Sequence, residues 1–244
     1  MPPRLYVDLP LRAGVQLELP ASAARHVQVL RLQPGDPLTL FDGGGGEWGA
    51  EVVSMGRSAV EVVLGAHAAV DRELPNRVTL ALGMPANERM DALIEKATEL
   101  GAAAVQPLVC ARSVLRLSGE RADKRVAHWR SVAVAACEQS GRTRVPIVHP
   151  VRPLAVWLAQ LGAAAAGESR VLLSLTPPDA APDSKPPAVA TLCLSGPEGG
   201  LDEAEEAAAA ACGFTRLSLG PRTLRADTAP LALLAGLAWQ GRSR

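Results

Sequence analysis

"LSGPEGGLDEAEE", residues 194–206, closes one kind of local structure and opens another. The apolar run "VATLCL" ends at Leu194, a Ser-Gly-Pro-Glu-Gly-Gly turn follows, and an alanine- and acid-rich helical pattern starts after it. A glycine loop between a buried strand and a helix ordinarily cradles a phosphate, because unpaired backbone N–H groups and the helix dipole both favour an anion. Here Glu198 sits inside the loop, and Asp202, Glu203, Glu205 and Glu206 crowd the first helical turns. Those carboxylates would compete for the donors a phosphate needs. The stretch therefore poses two questions: what the loop holds, and what the acids are for.

Working outward, the same strand-then-helix rhythm runs from Arg77 to the C-terminus. "VTLALG" leads to a helix from Asn87 to Leu100, with Met90, Leu93, Ile94, Ala97 and Leu100 on one face at 3.6-residue spacing. Asn87 is placed to cap it, and Gly101 to end it in the left-handed conformation. "AAVQPLV" reads as a strand and "RADKRVAHWRSVAVAACEQS" as a long helix. A short helix after Pro153, the strand "RVLLSL", the Pro-rich loop "TPPDAAPDSKPP" and the strand "VATLCL" bring the chain back to the opening stretch. Beyond it lie "FTRLSLG" and a nearly all-apolar C-terminal helix, in which an Asp227 N-cap would put Pro230 in the first turn, where its missing N–H costs nothing. Such alternation implies a mostly parallel sheet covered by helices. The apolar last helix implies burial in the core or against another chain.

The first 65 residues differ. "LYV", "VQLEL", "PLTLFD", "WGAEVVS" and "AVEVVLG" read as short strands, with one helical pattern, "SAARHVQVL", among them. This predicts a small β-barrel or sandwich over residues 1–70, joined by "AHAAVDRELPN" to an α/β domain over 74–244. One G-x-G-x-x-G match, Gly44, Gly46 and Gly49, falls in this part. A strand rather than a helix follows it, so it reads as a hairpin turn and not as a dinucleotide site.

Composition narrows the function classes. Hydrophobic residues make up 48% of 244 and charged ones 20%, an ordinary globular balance. Aromatic residues at 3% leave few rings for stacking bases on an RNA-recognition sheet. Cys110, Cys137, Cys193 and Cys212 show neither C-x-x-C spacing nor a nearby histidine, so no metal site and no disulfide framework is expected. "MPPRLYVDLP" lacks the apolar core of a signal peptide, and no apolar run of about 18 residues exists, which reads as a cytoplasmic protein. Net charge is zero, but residues 112–152 hold nine Lys and Arg against three acids, while residues 1–70 hold five against seven. That asymmetry fits either a phosphate-facing surface or a solvated helix face.

Three strand ends carry special residues: "LSLTPP" (173–178), "LSGPEGG" (194–200) and "LSLGPRTLR" (217–225). In a parallel sheet the carboxyl ends open on one edge, so these loops are expected to converge on one crevice. Glycines there let a ligand approach the main chain, and Pro197 and Pro221 stiffen the turns. Main-chain donors and acceptors with few fixed cations suit a neutral or positive ligand. S-adenosylmethionine, with its sulfonium centre, has that chemistry, and Leu175, Leu219 and Leu224 would pack the faces of its adenine.

"KATELG" (96–101) with "QPL" (106–108), "AACEQSGRTRVP" (135–146), "LSGPEGGL" (194–201), "LGPRTLRADT" (219–228) and "ARHVQVLRLQPGD" (24–36) together resemble the RsmE-type ribosomal RNA methyltransferases, in order and spacing nearly end to end. The resemblance implies a PUA-like β-barrel followed by a SPOUT domain, an α/β fold whose parallel sheet, with helices on both faces, contains a trefoil knot. It also implies a homodimer that methylates N3 of a uridine in small-subunit (16S) ribosomal RNA from S-adenosylmethionine. By motif position, Leu175, Thr176, Gly196, Pro197, Gly199, Leu219, Gly220 and Leu224 would hold the donor. Two departures stand out: Ala226-Asp227 where relatives commonly have Thr-Glu, and Thr176 where a histidine is often found.

Methylation at N3 requires loss of a proton. Glu198 is a candidate base, although an ordinary glutamate, with a pKa of about 4.3, is a poor acceptor for an imide proton. Arg225 is the competing candidate, as a fixed cation for the developing uracil anion, or it bonds loop carbonyls. Glu138 reads as a structural partner for nearby arginines. Arg112, Arg142 and Arg144 are candidate phosphate contacts in the second domain, and Arg25, His26 and Arg31 in the first. A paired uridine would have to leave its stack. Methylation of a ribose 2′-hydroxyl or another base, and a non-catalytic RNA-binding role in ribosome assembly, are the alternatives.

Overall fold

The computed structural model describes residues 2–57, 59–86, 88–175 and 188–241. The chain packs as two units, Met1–Glu73 with Val134–Val145, and Leu74–Ala133 with Pro146–Arg244.

In the first unit β1 (Arg4–Tyr6), β2 (Gln16–Glu18), α1 (Ala21–Val29), β3 (Pro37–Phe41), β4 (Glu47–Met55) and β5 (Val60–Ala68) follow in order. One sheet has the order β1-β3-β4-β5-β2, with β1 parallel to β3 and the other pairs antiparallel. Along β4 the side chains of Trp48, Ala50 and Val52 are buried while Gly49, Glu51 and Val53 are exposed, the period-2 pattern of a half-covered sheet. They join Leu5, Leu38, Leu40, Val60 and Val62, and the buried face of α1, Ala23, Ala24 and Val27, in one core. The G-x-G-x-x-G match begins in the β3–β4 turn, where Gly43, Gly45 and Gly46 have φ of +84°, +108° and +74°. It is a hairpin, as its context implies.

Residues 134–145 are tied into this unit by polar bonds. Glu138 Oε1 accepts the Tyr6 N–H at 2.9 Å, Thr143 Oγ1 donates to the Val70 carbonyl, and Arg4 Nη2 donates to the carbonyls of Gly141 and Arg142.

The second unit contains β6 (Arg77–Gly83), α2 (Glu88–Glu99), β7 (Ala104–Val109), α3 (Gly119–Ser140, whose last turns from Val134 belong to the first unit), β8 (Ile147–Val148), β9 (Arg152–Pro153) and α4 (Leu154–Gln160). Then come β10 (Glu168–Leu173), β11 (Ala190–Ser195), α5 (Glu203–Ala211), β12 (Thr215–Leu217) and α6 (Thr228–Gly241). The sheet runs β12-β10-β11-β6-β7-β8, with β9 also on β7, and every pairing is parallel. Sequence patterning does not reveal the two-residue strands β8 and β9, since two residues are too few to show a period.

β11 is central, and its residues are buried from Thr191 to Ser195. Leu192 and Leu194 join Trp157 and Leu158 of α4 and Ala209 of α5 in a core. Cys193, pointing to the other face, is fully buried as well, and α6, which packs on α2, also contacts β11. On α2 the predicted face is buried at Met90, Leu93, Ile94 and Ala97, the three larger side chains contributing roughly 1.5–3 kcal/mol each. Gly101 ends the helix at φ +95°. The predicted cap Asn87 and the Pro-rich loop at 176–187 lie outside the described residues. Asp227 immediately precedes α6, and Pro230 is buried in its first turn.

Candidate active site at the strand ends

Parallel pairing brings the three predicted loops to one edge. Leu173, the last residue of β10, is in register with Ser195 at the end of β11 and with Leu217 at the end of β12. The loops that leave these residues surround a cavity of about 350 Å³. Leu175, Gly196, Pro197, Gly199, Leu219, Gly220 and Leu224 all line it, as does Glu198. Thr176 lies outside the described residues. Leu175 keeps 67% of its surface exposed, which leaves an apolar face for a planar ring.

The acids of the opening stretch have internal partners. Asp202 is the N-cap of α5: its Oδ1 accepts the Glu205 N–H at 2.8 Å, and Glu205 Oε2 accepts the Asp202 N–H at 3.0 Å, a reciprocal capping box. The other oxygen of Glu205 accepts the Ala111 N–H at 2.7 Å. Glu206 is paired with Arg216 at 2.8 Å. Glu198 Oε1 accepts the Ala86 N–H at 3.0 Å and lies 3.9 Å from Arg89 Nη1. Four of the five carboxylates thus brace the loop and its helix, and they leave the remaining backbone donors to a ligand. That is what the acids are for.

The turn after β7 supplies the other brace. Ser113 Oγ accepts the Cys110 N–H and shapes the turn, from which Arg112 Nη1 donates to the carbonyls of Gly199 at 3.0 Å and Leu201 at 3.3 Å. Arg112, read from the sequence as a phosphate contact, is exposed, lines the cavity and also clamps the glycine loop. Its charge is offset by two carbonyl dipoles.

Close packing explains the glycines. A Cβ on Gly196 would lie 2.9 Å from the Leu201 nitrogen, and one on Gly199 would lie 3.0 Å from the Arg112 Cβ. Gly220 has open space but a φ of +105°, which L side chains rarely adopt. Sequence reasoning missed Gly83 at the end of β6, where a Cβ would meet Pro197 Cδ at 2.5 Å and its nitrogen at 2.6 Å. The signal was there, in a glycine ending an apolar strand, but nothing in the sequence says what approaches it.

Two arginines of the last loop separate. Arg222 lines the cavity, whereas Arg225 is exposed and outside the lining, its carbonyl accepting from the N–H groups of Thr228 and Ala229. Arg222 is the cation the sequence reading passed over. "GPRTLR" offers both, and spacing alone does not choose.

Among the basic residues predicted to meet RNA, Arg25, Arg31 and Arg144 are exposed, and His26 is half-buried with Nδ1 3.6 Å from Glu138 Oε2. Arg142 is withdrawn. It is ion-paired with Glu73 and only 3% of its side chain is exposed, so no guanidinium remains for a phosphate. Glu138 bonds Tyr6 and faces His26 rather than the arginines expected for it. Burial pushes its carboxyl up from the usual range, against the opposing effects of the Tyr6 N–H and the His26 charge. No group of three potential metal ligands occurs among the described residues.

A model for the RNA methyltransferase domain matches residues 72–238, and one for the RNA methyltransferase PUA domain matches residues 19–65. The ribosomal RNA small subunit methyltransferase E of Bacillus subtilis is 34% identical over 219 residues, covering 88% of this chain and 86% of that one. This chain belongs to the ribosomal RNA small subunit methyltransferase E family. The family member from Neisseria gonorrhoeae, solved bound to S-adenosyl methionine, superposes with a TM-score of 0.90 at 36% identity, over 97% of each chain. A methyltransferase of Legionella pneumophila in complex with the same cofactor gives 0.89 at 30% identity, over 98% of each. The α/β unit with its parallel sheet and the separate PUA-like unit are thus the fold of the methyltransferase E family.

Proposed function

We propose that this chain transfers a methyl group from S-adenosylmethionine to N3 of a uridine in small-subunit ribosomal RNA. Membership of the methyltransferase E family carries the coarser part, methylation of ribosomal RNA with that donor. The observation that best supports a donor site here is the cavity at the ends of β10, β11 and β12. It offers main-chain groups of glycine loops, apolar side chains from Leu175, Leu219 and Leu224, and two acids, Glu198 and Glu206, held by partners of their own. The composition of that wall fits an adenosine with a sulfonium better than a polyphosphate.

In this reading Gly196, Pro197, Gly199 and Gly220 hold the donor. When bound, it supplies an electrophilic methyl group. A guanidinium of the 222–225 turn stabilises the uracil anion, with Arg222 on the cavity wall and Arg225 beside it as the two candidates. Glu198 acts as a loop tether in preference to a base, since the Ala86 N–H occupies its Oε1. RNA is held by Arg25, Arg31 and Arg144, with His26 beside them, and residues 1–70 serve as the RNA-binding part to the catalytic 74–244. The knot implied by the family resemblance, a homodimer through the apolar α6, whose Trp239 is 71% exposed, and a cytoplasmic location belong to the same proposal. None of the described helices is long and apolar enough to cross a membrane.

The test is methylation of small ribosomal subunits with labelled donor, followed by nucleoside mass spectrometry. Label in N3-methyluridine is the expected result. Label in a 2′-O-methylnucleoside or another base overturns the N3 assignment, and no label overturns the activity.

A further inference from the structure

The parallel sheet of the second unit has another edge. At the opposite ends of its strands, where β6, β10 and β11 begin, lies a cavity of about 470 Å³, larger than the one at the carboxyl ends. None of the residues lining it belongs to the three loops of the candidate active site. Cavities of roughly 300 Å³ and more are the usual seats of small ligands.

The charge of its wall is one-sided. Arg77, the first residue of β6, and Arg152 in β9 both line it. Arg77 makes no side-chain hydrogen bond or ion pair among the described residues, and Arg152 donates to the neutral amide of Gln160. The one carboxylate in the wall, Glu168, is bonded to the buried Arg170 at 2.6 Å, so it offsets neither. Arg170 also donates to the carbonyls of Gly162 and Cys212, which fixes Glu168 in place. Among the described residues, the two exposed guanidiniums remain without an anionic partner at a concave surface, which favours a phosphate.

The rest of the wall suits a base. Leu161, half-buried, and the small exposed part of Trp157, whose ring otherwise packs near Phe214 in the core, supply apolar surface. Gln106 is 5% exposed, and its Nε2 is committed to the carbonyls of Pro107 and Pro150, which leaves its carbonyl oxygen as the side chain's acceptor. His149 lies beside it, with its pKa pushed below the ordinary value by burial and by the charge of Arg152, so at neutral pH its imidazole is uncharged and offers one donor and one acceptor.

We propose that this second cavity binds a phosphate-bearing nucleotide, its phosphate on the guanidinium of Arg77 or of Arg152, which line different parts of the wall, and its base toward Leu161 and Gln106. A free mononucleotide and a nucleotide within an RNA strand share that chemistry. The inference stands apart from the methyl-transfer reading, because no residue is common to the two cavities.

The test uses the full chain, titrated by calorimetry with uridine 5′-monophosphate, with uridine, and with a uridine tetranucleotide lacking terminal phosphates. Amide NMR signals of Gln106, His149 and Thr191 are followed in parallel. Saturable binding of the monophosphate but not of uridine, weakened about tenfold or more by Arg77→Ala or by Arg152→Ala, supports a free nucleotide as ligand. The same arginine dependence with the tetranucleotide alone supports an RNA strand as the source. S-adenosylmethionine affinity unchanged in both variants shows that they fold and that the active-site cavity is intact. Absence of binding by both the monophosphate and the tetranucleotide overturns the proposal. So does binding indifferent to both substitutions, equal binding of uridine, or displacement by S-adenosylhomocysteine.

Discussion

Glu198 accepts a hydrogen bond from the main-chain N–H of Ala86 at 3.0 Å, so the one acid inside the glycine loop is tied to the segment that follows β6. The bond separates two roles for this residue. A tether needs only an acceptor at Oε1, which glutamine retains, whereas a base needs an ionisable group. Glu198→Gln is expected to lower the methyl-transfer rate less than tenfold, because a neutral bond replaces a charge-assisted one at a cost of about 1 kcal/mol. Glu198→Ala is expected to weaken binding of S-adenosylmethionine by about tenfold. Single-turnover kinetics and donor titration of the two variants check this. A fall of about a hundredfold or more in the glutamine variant would restore the base.

Gly83 and Pro197 stand closer than any side chain permits. A methyl group on Gly83 would press on the ring and nitrogen of Pro197 and on the Gly196 carbonyl carbon, all under 3.0 Å, and these atoms are backbone or a rigid ring. Gly83→Ala is therefore expected to cost about 1–3 kcal/mol of stability and to displace the 196–197 turn, with donor affinity falling further than stability alone explains. Urea unfolding and calorimetric titration of the same sample measure both. Unchanged donor affinity would show that the turn moves aside without consequence.

The strand-end loops were legible from sequence because parallel topology alone sends them to one edge, and the predicted Leu175, Gly196, Pro197, Gly199, Leu219, Gly220 and Leu224 do meet there. The amphipathic face of α2 was legible because Met90, Leu93, Ile94 and Ala97 repeat at helical spacing. What sequence could not convey was which charges find each other. Arg112 and Arg142 look alike in a basic stretch, yet one clamps Gly199 and the other is buried against Glu73. Pairings across 87 and 69 residues leave no local trace. The same holds for Gly83, whose neighbour Pro197 lies far along the chain.

Glu138 gives the fold a pH dependence of a particular sign. Its carboxyl, buried and bonded to Tyr6, has a folded-state pKa above the ordinary 4.5, so the folded chain holds this proton more tightly than the unfolded chain does. The contribution to stability is fully present below about 4.5 and is lost as pH rises through the raised folded value. Glu138→Gln removes that loss. Unfolding free energies measured by urea across that interval are expected to fall less steeply with pH in the variant than in the natural chain, and parallel slopes would show that Glu138 is not the group responsible.

Arg142 and Arg144, two positions apart, should fail in different ways. Arg142 is buried and paired with Glu73, so Arg142→Ala strands a carboxylate that is itself only 17% exposed. Breaking a pair of this kind costs about 3–5 kcal/mol, and the loss should appear in denaturant midpoints with or without RNA present. Arg144 is exposed, as are Arg25 and Arg31. Replacing any of the three by alanine should leave stability within about 0.5 kcal/mol. Each replacement should instead weaken binding to ribosomal RNA and reduce the slope of log affinity against log salt by about one, because one phosphate fewer is neutralised and its counterion stays condensed on the RNA. Filter binding over a series of salt concentrations, beside urea melts of the same variants, reads both quantities. An Arg144→Ala variant with an unaltered salt slope would remove it from the RNA surface, and an Arg142→Ala variant of undiminished stability would mean that Glu73 finds water or another cation when its partner is gone.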